Sequence, residues 1–167
     1  MNTRHVAENA SNERKYSKGE KMGKAARAII IENGQILVMK RIKQGNEYYT
    51  LVGGQLSEGE SAESALVREV KEETGFDVVS HKLVFVEHHP EPYNSQAIYL
   101  CEIAPHGKVE VQPNSEEGVM NRLDINVHEP QWIDIRHFGS LAFTTMQLQK
   151  AIVNALQNGF PEEPIAL

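Results

Sequence analysis

The 167-residue chain carries 17 basic and 23 acidic side chains, a net charge of −6, and 40% apolar residues, enough for one domain with a sizeable core. That charge works against non-specific binding to a nucleic-acid polymer or an anionic membrane surface. No apolar run approaches the roughly 18 residues of a membrane-spanning helix, and the polar opening MNTRHVAENASNERKYSKGEK lacks a signal-peptide core, so a soluble cytoplasmic protein is expected.

Residues 1–21 read as a polar N-terminal arm ahead of a single domain over 22–167, an arm compatible with a homodimer. From Lys24 two β-branched runs flank Asn33-Gly34, the pattern of a two-residue hairpin. YYTLV (48–52) predicts a short strand entering Gly53-Gly54, where missing side chains permit a tight turn or a close backbone approach to a ligand. Ser61 is a helix cap, a helix is predicted over 62–74, and Gly75 stands where a left-handed residue commonly stops one.

FDVV, KLVFVEHH, SQAIYLCEI and KVEV then read as four strands, and residues 113–131 as a long irregular connection. QWIDI predicts a last strand, a short helical piece follows near 136–141, and TMQLQKAIVNALQNG has helical spacing with Gly159 and Pro161 as stops. Strands alternating with helices this way predict an α/β fold, a sandwich with a mixed β-sheet between helices. Cys101, the single cysteine, lies in an apolar alternation and reads as a buried small hydrophobe.

On the predicted helix Glu69, Glu72 and Glu73 share one arc, because positions three and four apart are neighbours. Ala62 and Ala65 leave space on that arc, and Leu66 with Val70 forms the stripe that docks on the sheet. Arg68 lies toward the other flank and Lys71 points away, leaving most of the negative charge uncompensated by the helix itself. An acidic helix face is by itself usually only solvated. Its company distinguishes this one.

From Gly54 the residues Gly54, Glu60, Arg68, Glu69, Val70, Glu72, Glu73, Gly75 and Phe76 follow the spacing G-x5-E-x7-R-E-U-x-E-E-x-G-U, with U a bulky apolar residue. At every fixed position the chain resembles the Nudix hydrolases, and the likeness of layout extends over about 24–158. The resemblance implies a Nudix-like α/β/α sandwich and Mg²⁺- or Mn²⁺-dependent hydrolysis of a nucleoside diphosphate linked to another moiety. Such small molecules include ADP-ribose, a nucleotide sugar, a nucleoside triphosphate and a dinucleoside polyphosphate. It implies that Glu69 and Glu73, then Glu72, ligate the metal with the carbonyl of Gly54, that Arg68 steadies a glutamate, and that Glu60 braces the loop or serves as an outer ligand.

The resemblance leaves the general base either to a box glutamate, Glu69 or Glu72 among the catalytic candidates, or to a later loop, where Glu116, Glu117, His128 and Glu129 are the candidates and Glu117 is favoured. Arg41 and Tyr49 are the candidate substrate contacts, to phosphate or sugar and to a base, although a strand-end arginine is often only a surface charge and strand tyrosines, Tyr48 included, commonly pack in half-buried faces. His88-His89 lacks the partner spacing of a Zn²⁺ site. Val52 stands where many relatives carry proline. The family's specificity marks conflict: Pro90 and Pro92 straddle the position of an ADP-ribose mark, and Tyr93 lies close to a dinucleoside polyphosphate mark. The alternative is a non-catalytic nucleotide-sensing module on the same fold, in which a lost carboxylate is expected; none is missing.

Overall fold

The computed structural model describes residues 24–89 and 95–167, so the arm expected over 1–21 lies outside the described residues. β1 (Ala25–Glu32) and β2 (Gln35–Lys43) form the expected hairpin. Asn33 and Gly34, at φ 50° and 74°, supply the two left-handed positions that a tight hairpin matching the strand twist requires. β3 (Asn46–Thr50), β4 (Val52–Gln55), β5 (Val78–His88), β6 (Ser95–Ile103), β7 (Asn126–Asp134) and the short β8 (Ile165–Ala166) complete the mixed sheet.

β1 is the hinge of the topology. Its first residues lie antiparallel to β4 and parallel to β6, while its end turns into the β2 hairpin. β2 in turn is flanked by β3 and β7, both antiparallel. Helix α1 (Ala62–Thr74) lays Ala62, Ala65, Leu66 and Val70 against Ala26, Ala28 and Val52. On the other side α3 (Ile135–Phe138) and α4 (Met146–Asn158) close over Ile29, Val38, Leu51 and Ile98 with Phe138, Leu148 and Ile152. The result is the α/β/α sandwich expected, with two apolar layers separated by the sheet. No helix of the described residues is long and apolar enough to cross a membrane. Burial pushes the Cys101 thiol up to about 12, as its reading as a small hydrophobe requires.

Four local expectations are corrected. YYTLV is not one strand: at Leu51 the chain changes partners, β3 pairing with β2 and β4 with β1, and the Leu51 side chain turns into the core. FDVV and KLVFVEHH merge into β5, in which two register shifts absorb the polar break at Ser80–Lys82. KVEV is not a strand. The backbone N–H groups of Glu110 and Gln112 donate to the carbonyls of Thr74 and Glu72, at 3.2 and 2.7 Å, so this segment satisfies the open C-terminal end of α1. The connection after residue 113 is not irregular throughout: Ser115 caps α2 (Glu116–Arg122) by accepting from the Gly118 N–H at 3.1 Å, and β7 begins at Asn126.

His106 closes one end of the sandwich, its ring centroid 4.0 Å from that of Phe76, with Nδ1 2.8 Å from the Gly107 carbonyl and Nε2 2.8 Å from Glu32. Both acceptors are satisfied together only by the protonated ring, and the Gly107 carbonyl and then Glu32 raise its pKa above 6.5. A raised folded-state pKa gives stability fully present below the unfolded value and lost as pH rises through the folded value. The melting temperature is therefore expected to fall more between pH 6 and 8 in the parent than in His106→Gln; equal slopes would refute this role.

Candidate functional site

The geometry of α1 follows from its two ends. Ser61 accepts from the Ser64 N–H at 3.1 Å, and Gly75, at φ 79°, returns its N–H to the Lys71 carbonyl at 2.9 Å. Between these caps the helical repeat turns Glu69 and Glu73 inward, 6% and 2% exposed, while Glu72 stays half-exposed.

Each glutamate has its own support. Glu73 Oε2 accepts from the Gly53 N–H at 2.7 Å, and the guanidinium of Arg27 donates to the carbonyl of the same glycine. Burial, against the pull of the Gly53 N–H and Arg27, pushes the Glu73 carboxyl up to about 8. Arg68 clamps Glu60 through Nε and Nη2 at 2.9 and 3.0 Å, and through Nη1 reaches Glu69 at 2.8 Å and Glu72 at 3.1 Å. The expectation that Arg68 lies to one flank and leaves the cluster uncompensated is thus corrected: its planar fork spans three carboxylates that a point charge would not. Burial still raises the Glu69 pKa, with Arg68 opposing.

Glu60 also accepts the Ser57 N–H at 2.9 Å, and Arg68 with that N–H holds its carboxyl down to about 2. Gly54 lies beneath Glu69, where a Cβ would stand 2.5–2.7 Å from the Glu69 carboxylate. A side chain there is incompatible with Glu69 in its place.

Among the four candidate bases the fold discriminates. α2 and β7 bring Glu117 and His128 to Glu73, each of the three offering a ligand atom within 4.8 Å of the others. Oε2 of Glu117 is buried without a hydrogen-bond partner. Glu116 is exposed on α2. Glu129, one residue on from His128, alternates to the opposite face of β7 and lies beside Lys40 at 4.0 Å.

The candidate substrate contacts separate in the same way. Arg41 pairs in register with His128, donates to Asn126 Oδ1 at 3.3 Å, and sits 5.9 Å from the Tyr48 ring centroid. Tyr49 alternates away, packs against the α4-side core, and reaches Glu47 at 3.4 Å. His88 is exposed and His89 contacts Glu87 at 3.2 Å; the pair joins no ligand group among the described residues. Pro90, Pro92 and Tyr93 lie outside the described residues.

Sequence reasoning missed Arg27, and with it the cleft beside the cluster. The cleft has a volume of about 360 Å³ and is lined by Arg27, Thr50, Leu51, Gln96, His89 and Thr145 among others. Glu87, 1% exposed, anchors its wall by accepting from Gln96 at 2.6 Å and from the Thr145 hydroxyl, while Gln96 accepts from Arg27 Nε at 3.2 Å. The available signal was a lone arginine inside KAARAIII, a cation in a strand otherwise apolar.

Residues 22–152 match the NUDIX domain family, and the chain belongs to it. A Bacillus subtilis protein provisionally named as an 8-oxo-dGTP diphosphatase is 35% identical over 75 residues, 45% of this chain and 49% of that protein. The matched region thus spans about half the length of that curated relative. Among solved structures, a MutT NUDIX hydrolase from Burkholderia pseudomallei is 25% identical with a TM-score of 0.52, covering 70% of this chain and 86% of that one. An ADP-ribose pyrophosphatase from Streptococcus suis is similar in fold, with a TM-score of 0.58 at 22% identity over 84% of this chain and 96% of that one.

Proposed function

We propose that the protein hydrolyses a phosphoanhydride bond in a small nucleotide-derived molecule, a nucleoside diphosphate linked to another moiety, with Mg²⁺ or Mn²⁺ as cofactor. The observation that carries this reading is the convergence of Glu69, Glu72 and Glu73 from α1 with Glu117 from α2 beside Gly53 and Gly54 of β4, with an oxygen of Glu117 left buried and unpartnered. Carboxylate and carbonyl oxygens are the donors that a hard divalent cation takes. The donor set therefore fits: Glu69, Glu72, Glu73 and the Gly54 carbonyl would hold the cation, which when bound supplies charge neutralisation for the diphosphate and a lowered pKa for water.

The chain's own residues do the rest. Arg68 keeps Glu69 and Glu72 in place against their mutual repulsion. The Gly53 N–H orients Glu73. Glu117, beside Glu73, takes the proton of the attacking water on a carboxylate oxygen. Arg27 lies between cluster and cleft, where a cation meets an anionic substrate, and the apolar walls supplied by Leu51 and Leu148 suit the flat face of a base or sugar. The two similar proteins whose names give a substrate are named for different nucleotides, so the leaving group is a matter for assay.

A panel of ADP-ribose, nucleoside triphosphates, nucleotide sugars and dinucleoside polyphosphates is expected to contain at least one substrate whose hydrolysis EDTA abolishes and Mg²⁺ or Mn²⁺ restores. Metal-independent turnover of every substrate hydrolysed would overturn the metal role. Nucleotide binding without turnover would favour the sensing module instead.

A further inference from the structure

His128 brings a nitrogen to an otherwise all-oxygen cluster, and the structure prepares that nitrogen with care. Its ring is 3% exposed in the residue as a whole, and Nδ1 lies 2.7 Å from the Asn126 carbonyl. A carbonyl oxygen only accepts, so Nδ1 carries the hydrogen and Nε2 the lone pair. Histidines that ligate metals are oriented in this way, the second ring N–H being spent on a carbonyl or carboxylate. Asn121 fixes the backbone of the same residue twice, accepting from the His128 N–H at 2.7 Å and donating to its carbonyl at 2.8 Å.

What faces this ring is chemically one-sided. Glu73, Glu117 and His128 place one ligand atom each within 4.8 Å of one another, and the buried Oε2 of Glu117 has no donor to accept from. A buried acceptor left without a donor is costly, and a cation seated beside Oε2 of Glu117 supplies the positive partner that the protein does not. The nitrogen decides which cation. Mg²⁺ takes oxygen ligands and demands regular geometry, whereas imidazole suits first-row transition ions, whose affinity for a mixed nitrogen and oxygen site rises from Mn²⁺ toward Co²⁺ and beyond.

We propose that His128 supplies an inner nitrogen ligand to a divalent cation held jointly with Glu73 and Glu117, and that this position takes Mn²⁺ or Co²⁺ in preference to Mg²⁺. The inference rests on the reading of the cluster as a divalent-cation site. It adds a ligand from β7, a selectivity, and a reason for the double clamp by Asn121. A carboxylate has two oxygens, so Glu117 can meet the cation through one and take a proton on the other.

The test uses the full chain loaded with Mn²⁺. Pulsed electron paramagnetic resonance is expected to show coupling of the ion to an imidazole nitrogen, altered when the histidines carry nitrogen-15 and absent in His128→Gln. Calorimetry with Mn²⁺ alone and Mg²⁺ alone is expected to show tighter Mn²⁺ binding in the parent, with Mn²⁺ affinity falling by roughly 10- to 100-fold in the variant and Mg²⁺ affinity changing little. The wild-type spectrum carries the test even if the variant fails to fold. Mn²⁺ binding without nitrogen coupling overturns the inference and leaves the proposed function standing, and a variant that loses turnover but keeps the parent's coupling overturns it too. Absence of any divalent-cation binding, with no hydrolysis across the substrate panel, overturns both.

Discussion

Gly53→Ala is expected to unfold the protein or cost more than about 4 kcal/mol, the exceptional end of single substitutions. Gly53 has φ 129°, a region in which an L side chain is strained at a cost of about 1–3 kcal/mol. A Cβ there would also overlap the Ala26 carbonyl oxygen and stand 2.9 Å from the Arg27 Cα. Those are backbone atoms of β1, the strand that joins both parts of the sheet, so relief requires separating β4 from β1. Separation also breaks the Gly53 contacts to Glu73 and Arg27. Gly54→Ala provides the contrast. Its Cβ would meet the tip of the Glu69 side chain, which can swing away, so that variant is expected to keep most of its stability and lose most of its activity. Thermal unfolding of the two variants beside the parent decides the matter. A Gly53→Ala melting temperature within a few degrees of the parent would show that the close approach is relieved in some other way.

Glu73→Gln is expected to abolish metal-dependent turnover, by at least about 100-fold, while leaving metal-free stability within about 1 kcal/mol of the parent. Glutamine has the same shape, and its amide oxygen can accept the Gly53 N–H in place of the carboxylate. Because burial holds the Glu73 carboxyl up to about 8, the metal-free parent carries it largely uncharged at pH 7, and the variant removes little charge from the cluster. Excess Mg²⁺ reverses the comparison. A cation that binds only the folded protein stabilises by mass action, about 2.7 kcal/mol at a hundred times its dissociation constant, and the variant should lose most of that increment. Thermal unfolding with EDTA and with excess Mg²⁺, beside hydrolysis of the best substrate, separates the two effects. Destabilisation of the metal-free variant by several kcal/mol would make Glu73 a structural partner, and full activity would remove it from the ligand set.

The contrast between Gly53 and Gly54 shows where the limit of the sequence lies. Both read as glycines of one turn; only the approach of β1 makes the first indispensable to folding and the second a floor for Glu69. Local chemistry by itself determined much. Asn33-Gly34 determined the hairpin because both residues tolerate left-handed backbone, Ser61 and Gly75 bounded α1 because helix ends need capping, and the 3.6-residue repeat put Glu69, Glu72 and Glu73 on one arc.

What depends on partners distant in the chain was decided by the tertiary structure. KVEV has strand-forming residues, yet its backbone is drawn to the open carbonyls of α1, a demand invisible from within the segment. Arg27, Glu117 and His128 reach Glu73 from three other elements, and nothing in their own neighbourhoods states that they meet there. Nothing in a short window states that Arg41 pairs with His128 across β2 and β7, or that Glu129 is turned to the opposite face. A repeat or a cap is an interaction between near neighbours and is written in their spacing; strand register and the meeting of buried charges depend on how the whole chain closes its core, and were settled only there.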